Sequence, residues 1–436
     1  LFKTAHAVDL RKKRLDVRKE DQVQLKRSSF ADMVTLVNNE LVDRWNDKIE
    51  KKKAVVILPR IQALVNEHDL HIPGIPQSRL VDHLFNSITG YDILHPYVAN
   101  PAITNIEIES PNDIYYMEGL RWKKAPVSFD SQKALQDYVY RIFNRLGGRF
   151  SMDNPLGKVE DDDWNLRIRA GGWDVSPDGV TMSMRKLSKD ILTQLELDYG
   201  MSRMMQRFMK FAIAAGFNVD VVGPFGSGKT RLLGTFMSWL PTFKHNCLIQ
   251  SANEIPKVHP FMRRRLTREL VGEQGQKITE SDIMNFAKQE NYQAIGLGEF
   301  LDEVAMIYLH LLQLNTQILS THHAESGLGG IHSLVYMMRS GDKRAREEYL
   351  IKQLAEQMDL VVVTNKLRVV EIAQYTGEIR NGDPVVEPLF TFHVDQEDKH
   401  ELIGTWKREE AIKLCSKLLR KARMNGQEIP ADMELV

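Results

Sequence analysis

Cysteine is nearly absent: 436 residues contain two, Cys247 and Cys415, and they form no C-x-x-C pair. That scarcity excludes a disulfide framework and a zinc ribbon, and it fits a reducing cytosol. Net charge is also missing, because Lys+Arg and Asp+Glu stand at 58 each. Any contact with nucleic acid or a membrane surface must therefore be local. No apolar run approaches a membrane span, no secretory apolar region opens the chain, and no internal repeat or low-complexity segment occurs. The sequence starts at Leu1 and not at Met, so the natural N-terminus is expected to lie further upstream. What is left is 43% apolar and 27% charged, a soluble globular composition with the length for two or three domains.

Against that background one stretch stands out. Phe217 to Val222 alternates and then turns apolar, and Gly223 to Thr230 (GPFGSGKT) matches G-x-x-x-x-G-K-[ST] at every fixed position. Gly223, Gly226 and Gly228 let backbone amides converge on phosphate oxygens at a helix start, with Pro224, Phe225, Ser227 and Arg231 completing the loop. Lys229 adds positive charge at the β- and γ-phosphates, and the Thr230 hydroxyl is a Mg²⁺ ligand. The expected ligands are ATP and Mg²⁺.

The rest of the chain divides by composition. Residues 1–78 read as a basic, helical extension, with Arg11-Lys12-Lys13-Arg14 in an arm and an amphipathic helix from Ala31 that Pro59 interrupts or kinks. Residues 79–190 read as an α+β domain: helices near 79–89 and 132–146, strands near 103–109, 114–117, 165–170 and 180–185, and a solvated loop at Asp161-Asp162-Asp163. Residues 188–200 are a candidate hinge. Residues 191–436 alternate helix and strand, with strands near 246–249, 294–297 and 317–321, which argues for a parallel sheet with crossover helices. Further strands are expected at 360–364, 367–373 and 389–394, and a basic helix over 407–425.

In such sheets the ligand-facing groups sit at the carboxyl ends of strands. Glu299 closes AIGLG, Glu254 follows CLIQSAN, and His323 follows a third apolar strand, so these three join Lys229 as candidate catalytic groups. Glu299 is also a candidate for Mg²⁺, directly or through water. Arg263-Arg264-Arg265 with Arg268 is the densest basic cluster of the folded region; with little aromatic interleaving it suits a solvated or intersubunit role better than base stacking.

Taken together, the phosphate loop, Glu299 and THHAES (Thr321 to Ser326) resemble the type II/type IV secretion ATPases, most of all the Flp/Tad pilus assembly branch. The resemblance runs over about residues 80–395. YDILHPYVANPAITNIEIESPNDIYY (Tyr91 to Tyr116), SMRK (Ser183 to Lys186), EQMDLVVV (Glu356 to Val363), VVEIAQY (Val369 to Tyr375) and LFTF (Leu389 to Phe392) carry it outside the loop. It implies a RecA-like P-loop ATPase domain with a parallel-rich sheet, an α/β fold, preceded by a smaller α+β domain and an N-terminal helical extension. It also implies a homohexamer at the cytoplasmic face of the inner membrane, partnered by a membrane platform or by pilus and secretion proteins, that spends MgATP on pilus assembly or secretion. By the same match Arg149, Arg167 and Arg185 reach the nucleotide from the smaller domain, Glu299 is the glutamate of an atypical Walker B, and His323 is the histidine-box residue.

The chain departs from the family where its aspartate box, T-I-E-D-x-x-E, is replaced by Leu248-Ile249-Gln250-Ser251-Ala252-Asn253-Glu254. The arginine that usually follows G-E-V is Leu301, and the glycine-rich turn before the histidine box is shortened to about Gln317-Ile318. Gln250 can hydrogen-bond an attacking water but cannot take its proton, so slow turnover is expected. Two other readings follow: a nucleotide-binding scaffold that does not hydrolyse, and a conjugative DNA-transfer motor that uses the basic arms.

Overall fold

The chain folds as two compact units, Leu1–Lys186 and Leu187–Val436. The computed structural model describes residues 30–45, 54–119, 121–187, 194–266, 268–269, 277–298, 302–314, 316–397, 402–407 and 412–430. The basic arm over 1–29, Lys51 to Lys53, residues 188–193 of the candidate hinge, Glu299 and Leu301 lie outside these residues.

The first unit opens with three helices, α1 (Phe30–Trp45), α2 (Ala54–Glu67) and α3 (Gln77–Thr89). Met33, Val37, Leu41, Ile57, Ile61, Leu64, Leu80 and Leu84 recur at helical spacing and meet in one apolar cluster. Pro59 lies inside α2, so the helix runs through it and is not ended by it. Arg44 clamps α1 to α2 with two bonds to the Glu67 carboxylate, at 2.5 and 2.8 Å.

A short helix, α4 (His95–Ala99), then leads into β1 (Ile103–Ser110), β2 (Asp113–Glu118), β3 (Arg121–Lys124), α5 (Gln132–Arg145), β4 (Leu156–Asp161), β5 (Leu166–Gly171) and β6 (Thr181–Lys186). The strands make one antiparallel sheet in the order β3-β2-β1-β6-β5-β4. Leu135, Tyr138, Val139, Ile142 and Phe143 of α5 share its apolar core with Ile106, Ile108, Ile168 and Met184. One expectation holds only in part: Asp162 and Asp163 are exposed in the turn after β4, but Asp161 differs. Asp161 is not in a solvated loop: it is buried, takes a 2.6 Å bond from the Tyr91 hydroxyl and accepts from the backbone amides of Asp163 and Trp164. Run-of-aspartate composition signals a loop, but a single member whose oxygens are all engaged can be buried.

The second unit comprises α6 (Leu195–Tyr199), α7 (Arg203–Ala214), β7 (Val219–Val222), α8 (Lys229–Ser238), β8 (Asn246–Gln250), β9 (Met262–Leu266), β10 (Arg268–Glu269), β11 (Lys277–Ile278), α9 (Glu280–Ala287), β12 (Ala294–Leu297), α10 (Asp302–Gln313), β13 (Gln317–His322), α11 (Gly327–Gly341), α12 (Glu347–Gln357), β14 (Leu360–Asn365), β15 (Arg368–Arg380), β16 (Asp383–Glu397), β17 (Leu402–Lys407) and α13 (Ser416–Met424). Its main sheet runs β17-β16-β15-β14-β7-β13-β12-β8-β9. From β9 to β14 all neighbours are parallel, and β14 to β17 continue antiparallel. Parallel strands need cover on both faces, and β7, β8, β12 and β13 are buried at every position. Val219, Val221, Leu248 and Leu319 pack with Phe208 of α7, Phe236 of α8 and Leu418 of α13. Val222, Cys247, Ile249 and Ile318 pack on the other side with Met284, Tyr308, Leu334 and Leu354.

The C-terminal segment is fastened by charge as well as by apolar contact. Lys421 bonds the buried Asp359 at the start of β14, Asp359 also accepts from the Asn218 amide at 2.8 Å, and Asn425 donates to the Ala215 carbonyl at 2.7 Å. The helix there is Ser416–Met424, shorter than the basic pattern over 407–425 suggests, because Lys407 ends β17.

Candidate functional site

The loop Gly223 to Gly228 joins buried β7 to α8, and parallel pairing brings the ends of β8, β12, β13 and β14 to the same edge. Beneath the loop, Ser227 Oγ lies 2.9 Å from Thr364 Oγ1, and Thr364 also donates to the Val222 carbonyl at 3.1 Å. A Cβ on Gly223 would come within 2.2 Å of the Thr364 carbonyl oxygen, so the first glycine is required by its contact with β14. Gly228 caps α8 at φ +87°, and a Cβ there would stand 1.8 Å from the Tyr199 hydroxyl, which donates to the Gly228 carbonyl at 2.9 Å. Burial pushes the Tyr199 phenol well above its usual range, so it remains a neutral donor.

Lys229 is nearly buried, and its ammonium donates to the Gly223 and Pro224 carbonyls, both at 2.9 Å. It also lies 3.2 Å from Nδ1 of His323. An ammonium has only donors to offer, so Nδ1 accepts there and the ring proton of the neutral tautomer sits on Nε2. The imidazole stacks on Phe225, which is exposed at the loop tip, with 6.2 Å between centroids and 15° between planes. Lys229 and His323, separated by 94 residues in sequence, are thus brought together. Thr230 and Arg231 occupy the first turn of α8.

The remaining candidates fall differently. Glu254 is half-buried in the turn after β8, on the same edge as the loop, with β13 and β12 between its strand and β7. The described part of β12 and its flank ends at Gly298, whose carbonyl accepts from the Thr321 hydroxyl, and Glu299 follows it in sequence. Gln250 contradicts the expectation placed on it. Its amide is buried, Oε1 accepting from the Ile255 amide at 3.0 Å and Nε2 donating to the Ile255 carbonyl at 3.1 Å. Both ends of the side chain close the 250–255 turn, and its burial turns it away from solvent. In the basic cluster, Arg263 and Arg265 bond Glu290, at 2.7 and 3.0 Å, and Arg264 bonds Asn253 at 2.8 Å. These arginines lie on β9, an edge strand that the basic composition concealed.

In the first unit, Arg167 of β5 and Arg185 of β6 are direct register partners, with Glu160 of β4 opposite Arg167 on its other side. Arg149 is exposed in the turn before β4, its carbonyl accepting from Asn154 at 3.0 Å.

Sequence reasoning missed two elements of the site. Thr364, buried under the loop, carries no motif, and its polar position at the end of an apolar strand was the available signal. Asp220 and His322, both buried, lie 3.1 Å apart next to the loop strand; an aspartate inside the apolar run VDVV was the sign of them.

The intervening strand β13, set between the phosphate-loop strand β7 and β12, gives this unit the RecA-like P-loop order. No protein-family model matches the chain. An uncharacterized protein of Methanocaldococcus jannaschii is 24% identical over 362 residues, covering 80% of this chain and 63% of that relative, so less than two thirds of the relative's length is spanned. A Mycobacterium tuberculosis protein named for conjugal transfer is 21% identical over 257 residues, 57% of this chain and 71% of its own. Among solved structures, the VirB11 ATPase of the Brucella suis type IV secretion system is 16% identical, at TM-score 0.33, over 64% of this chain and 92% of that one. The pilus retraction motor PilT with bound ADP is 14% identical, at 0.44, over 68% and 80%. The Legionella pneumophila ATPase DotB is 15% identical, at 0.42, over 66% and 76%.

Proposed function

We propose that the chain binds MgATP at Gly223–Thr230 and hydrolyses it to power pilus assembly or secretion in a type IV or Tad-like machine. The observation that carries this reading is Lys229, held inside the glycine loop at 3.2 Å from His323, the residue that follows a neighbouring parallel strand. The loop suits phosphates: Gly228 opens α8 in the left-handed conformation, and the backbone amides of the helix start supply the anion-binding end of its dipole. Thr230 and Glu299 would hold Mg²⁺, which when bound neutralises charge on the β- and γ-phosphates. Lys229 would take the same phosphates, Glu299 and Glu254 would orient water, and His323 would contact the γ-phosphate end beside Lys229. Arg149, Arg167 and Arg185 would serve the nucleotide from the first unit. Among the described residues no helix is long and apolar enough to cross a membrane. The working form would be a homohexamer attached peripherally to the inner face of the membrane through platform or pilus proteins.

One observation favours a weaker motor. Gln250 stands where the related family carries its first carboxylate and is committed to the Ile255 backbone, so the chain would hold nucleotide well and turn it over slowly. Steady-state ATPase measurement on the full chain and on Lys229→Ala tests the proposal. Turnover above background in the parent and none in the variant is expected; equal rates in both would remove the loop from the mechanism.

A further inference from the structure

Resting on that reading, we infer that the buried Asp220–His322 pair is a positioning device that sets His323 against Lys229. Both side chains are sunk in the apolar layer that holds Val222, Tyr308 and Ile331. His322 Nδ1 lies 3.1 Å from the Asp220 carboxylate, and Nε2 lies 3.1 Å from the Gly330 carbonyl in the first turns of α11. The Ser320 hydroxyl donates to Asp220 at 3.0 Å, and the Tyr308 hydroxyl is 3.1 Å from Ser320. The Tyr375 hydroxyl bonds the Gly327 carbonyl at 2.8 Å, fixing the same end of α11 from β15.

A polar pair at this depth is costly, and apolar side chains of like volume would be as stable or more so. What the pair supplies is geometry. It joins the strand that runs into the phosphate loop, the strand that ends at His322, and the helix that follows. A ring set 3.1 Å from an acceptor at each nitrogen is confined between β7 and α11, so the end of β13 is fixed relative to β7. His323 is the next residue, and a displacement of about 1 Å at a reacting centre can cost on the order of a hundredfold in rate. His323 also gives its carbonyl to the Ser333 hydroxyl of α11 at 3.1 Å, so strand end and helix move together.

The experiment compares the full chain with Asp220→Val/His322→Leu, which removes both polar groups and strands neither charge. With cooperative melting retained, the double variant is expected to lose about tenfold or more in kcat while KM for ATP stays within about threefold. In ¹⁵N-histidine spectra, with His323 assigned from His323→Gln, its Nδ1 signal should lose the shift of an acceptor from Lys229, as it does in Lys229→Ala. A folded double variant with the parent kcat or the parent His323 signal overturns the inference. Should the double variant not fold, Asp220→Asn, which keeps an acceptor for Nδ1, is expected within about threefold of the parent kcat, and Asp220→Ala about tenfold or more below it. Equal rates in those two would overturn it. If the parent turns over no ATP, the proposed function fails, and the His323 signal in these variants still decides the role of the pair.

Discussion

Placing a carboxylate at position 250 is predicted to harm the protein and not to speed it. In Gln250→Glu the Nε2 donor becomes an oxygen facing the Ile255 carbonyl, at the 3.1 Å now spanned by a hydrogen bond, in a site where the side chain is buried. The change removes one bond, about 1 kcal/mol, and leaves a buried acceptor against another, about 1 to 3 kcal/mol, for a total near 2 to 4 kcal/mol. In a unit of this size that lowers the melting temperature by roughly 5 to 15 °C. The penalty should depend on pH. The introduced carboxyl, once protonated, could donate to the Ile255 carbonyl as the amide does, so its folded-state pKa would be raised; stability is then near the parent's at low pH and is lost as pH rises through that value. Denaturant unfolding of parent and variant at pH 5 and pH 8, with ATPase rates beside it, measures both effects. A variant as stable as the parent at pH 8 with faster turnover would refute the reasoning and place the Gln250 side chain toward the nucleotide.

Glu299→Gln is expected to keep ATP and lose turnover, since the amide keeps the shape but not the charge; unchanged turnover would make Glu299 a helix-start residue only. Burial and the neighbouring Lys421 push the Lys244 ammonium down to about 8, and it donates to Gln317 at 2.6 Å. The unfolded chain therefore binds more protons between about pH 8 and 10.5, so relative to Lys244→Met the parent should gain about 1 to 3 kcal/mol across that range in denaturant unfolding, and a flat difference would count against the shift. Sedimentation with and without ATP should show a large, ring-sized species, and a strict monomer at all concentrations would contradict the hexamer.

Much of the second unit was legible because its strands are buried on both faces. Unbroken apolar runs such as AIGL and VVV, alternating with amphipathic helices, can be little else than a parallel sheet. The loop was legible because phosphate binding fixes residue types at fixed spacing. Edge strands have no such constraint: β9 reads MRRRL and shows a basic cluster before it shows a strand. Polar residues at special positions were the hardest to read. Asp161 and Gln250 look like loop chemistry in sequence and prove to be buried and fully engaged with Tyr91 and with Ile255, contacts made by folding and by a tight turn that no spacing encodes. His323 was found from its place after a strand; its contact with Lys229 required the order of β7 and β13.

Equilibrium titration of MgATP into the full chain and into Lys229→Ala tests the central claim most directly, because it needs neither turnover nor a ring. Saturable binding by the parent and affinity lower by about tenfold or more in a variant that still melts cooperatively are predicted, in line with the loss of a charged contact to phosphate. No binding by the parent, or the same affinity in both proteins, would contradict the account.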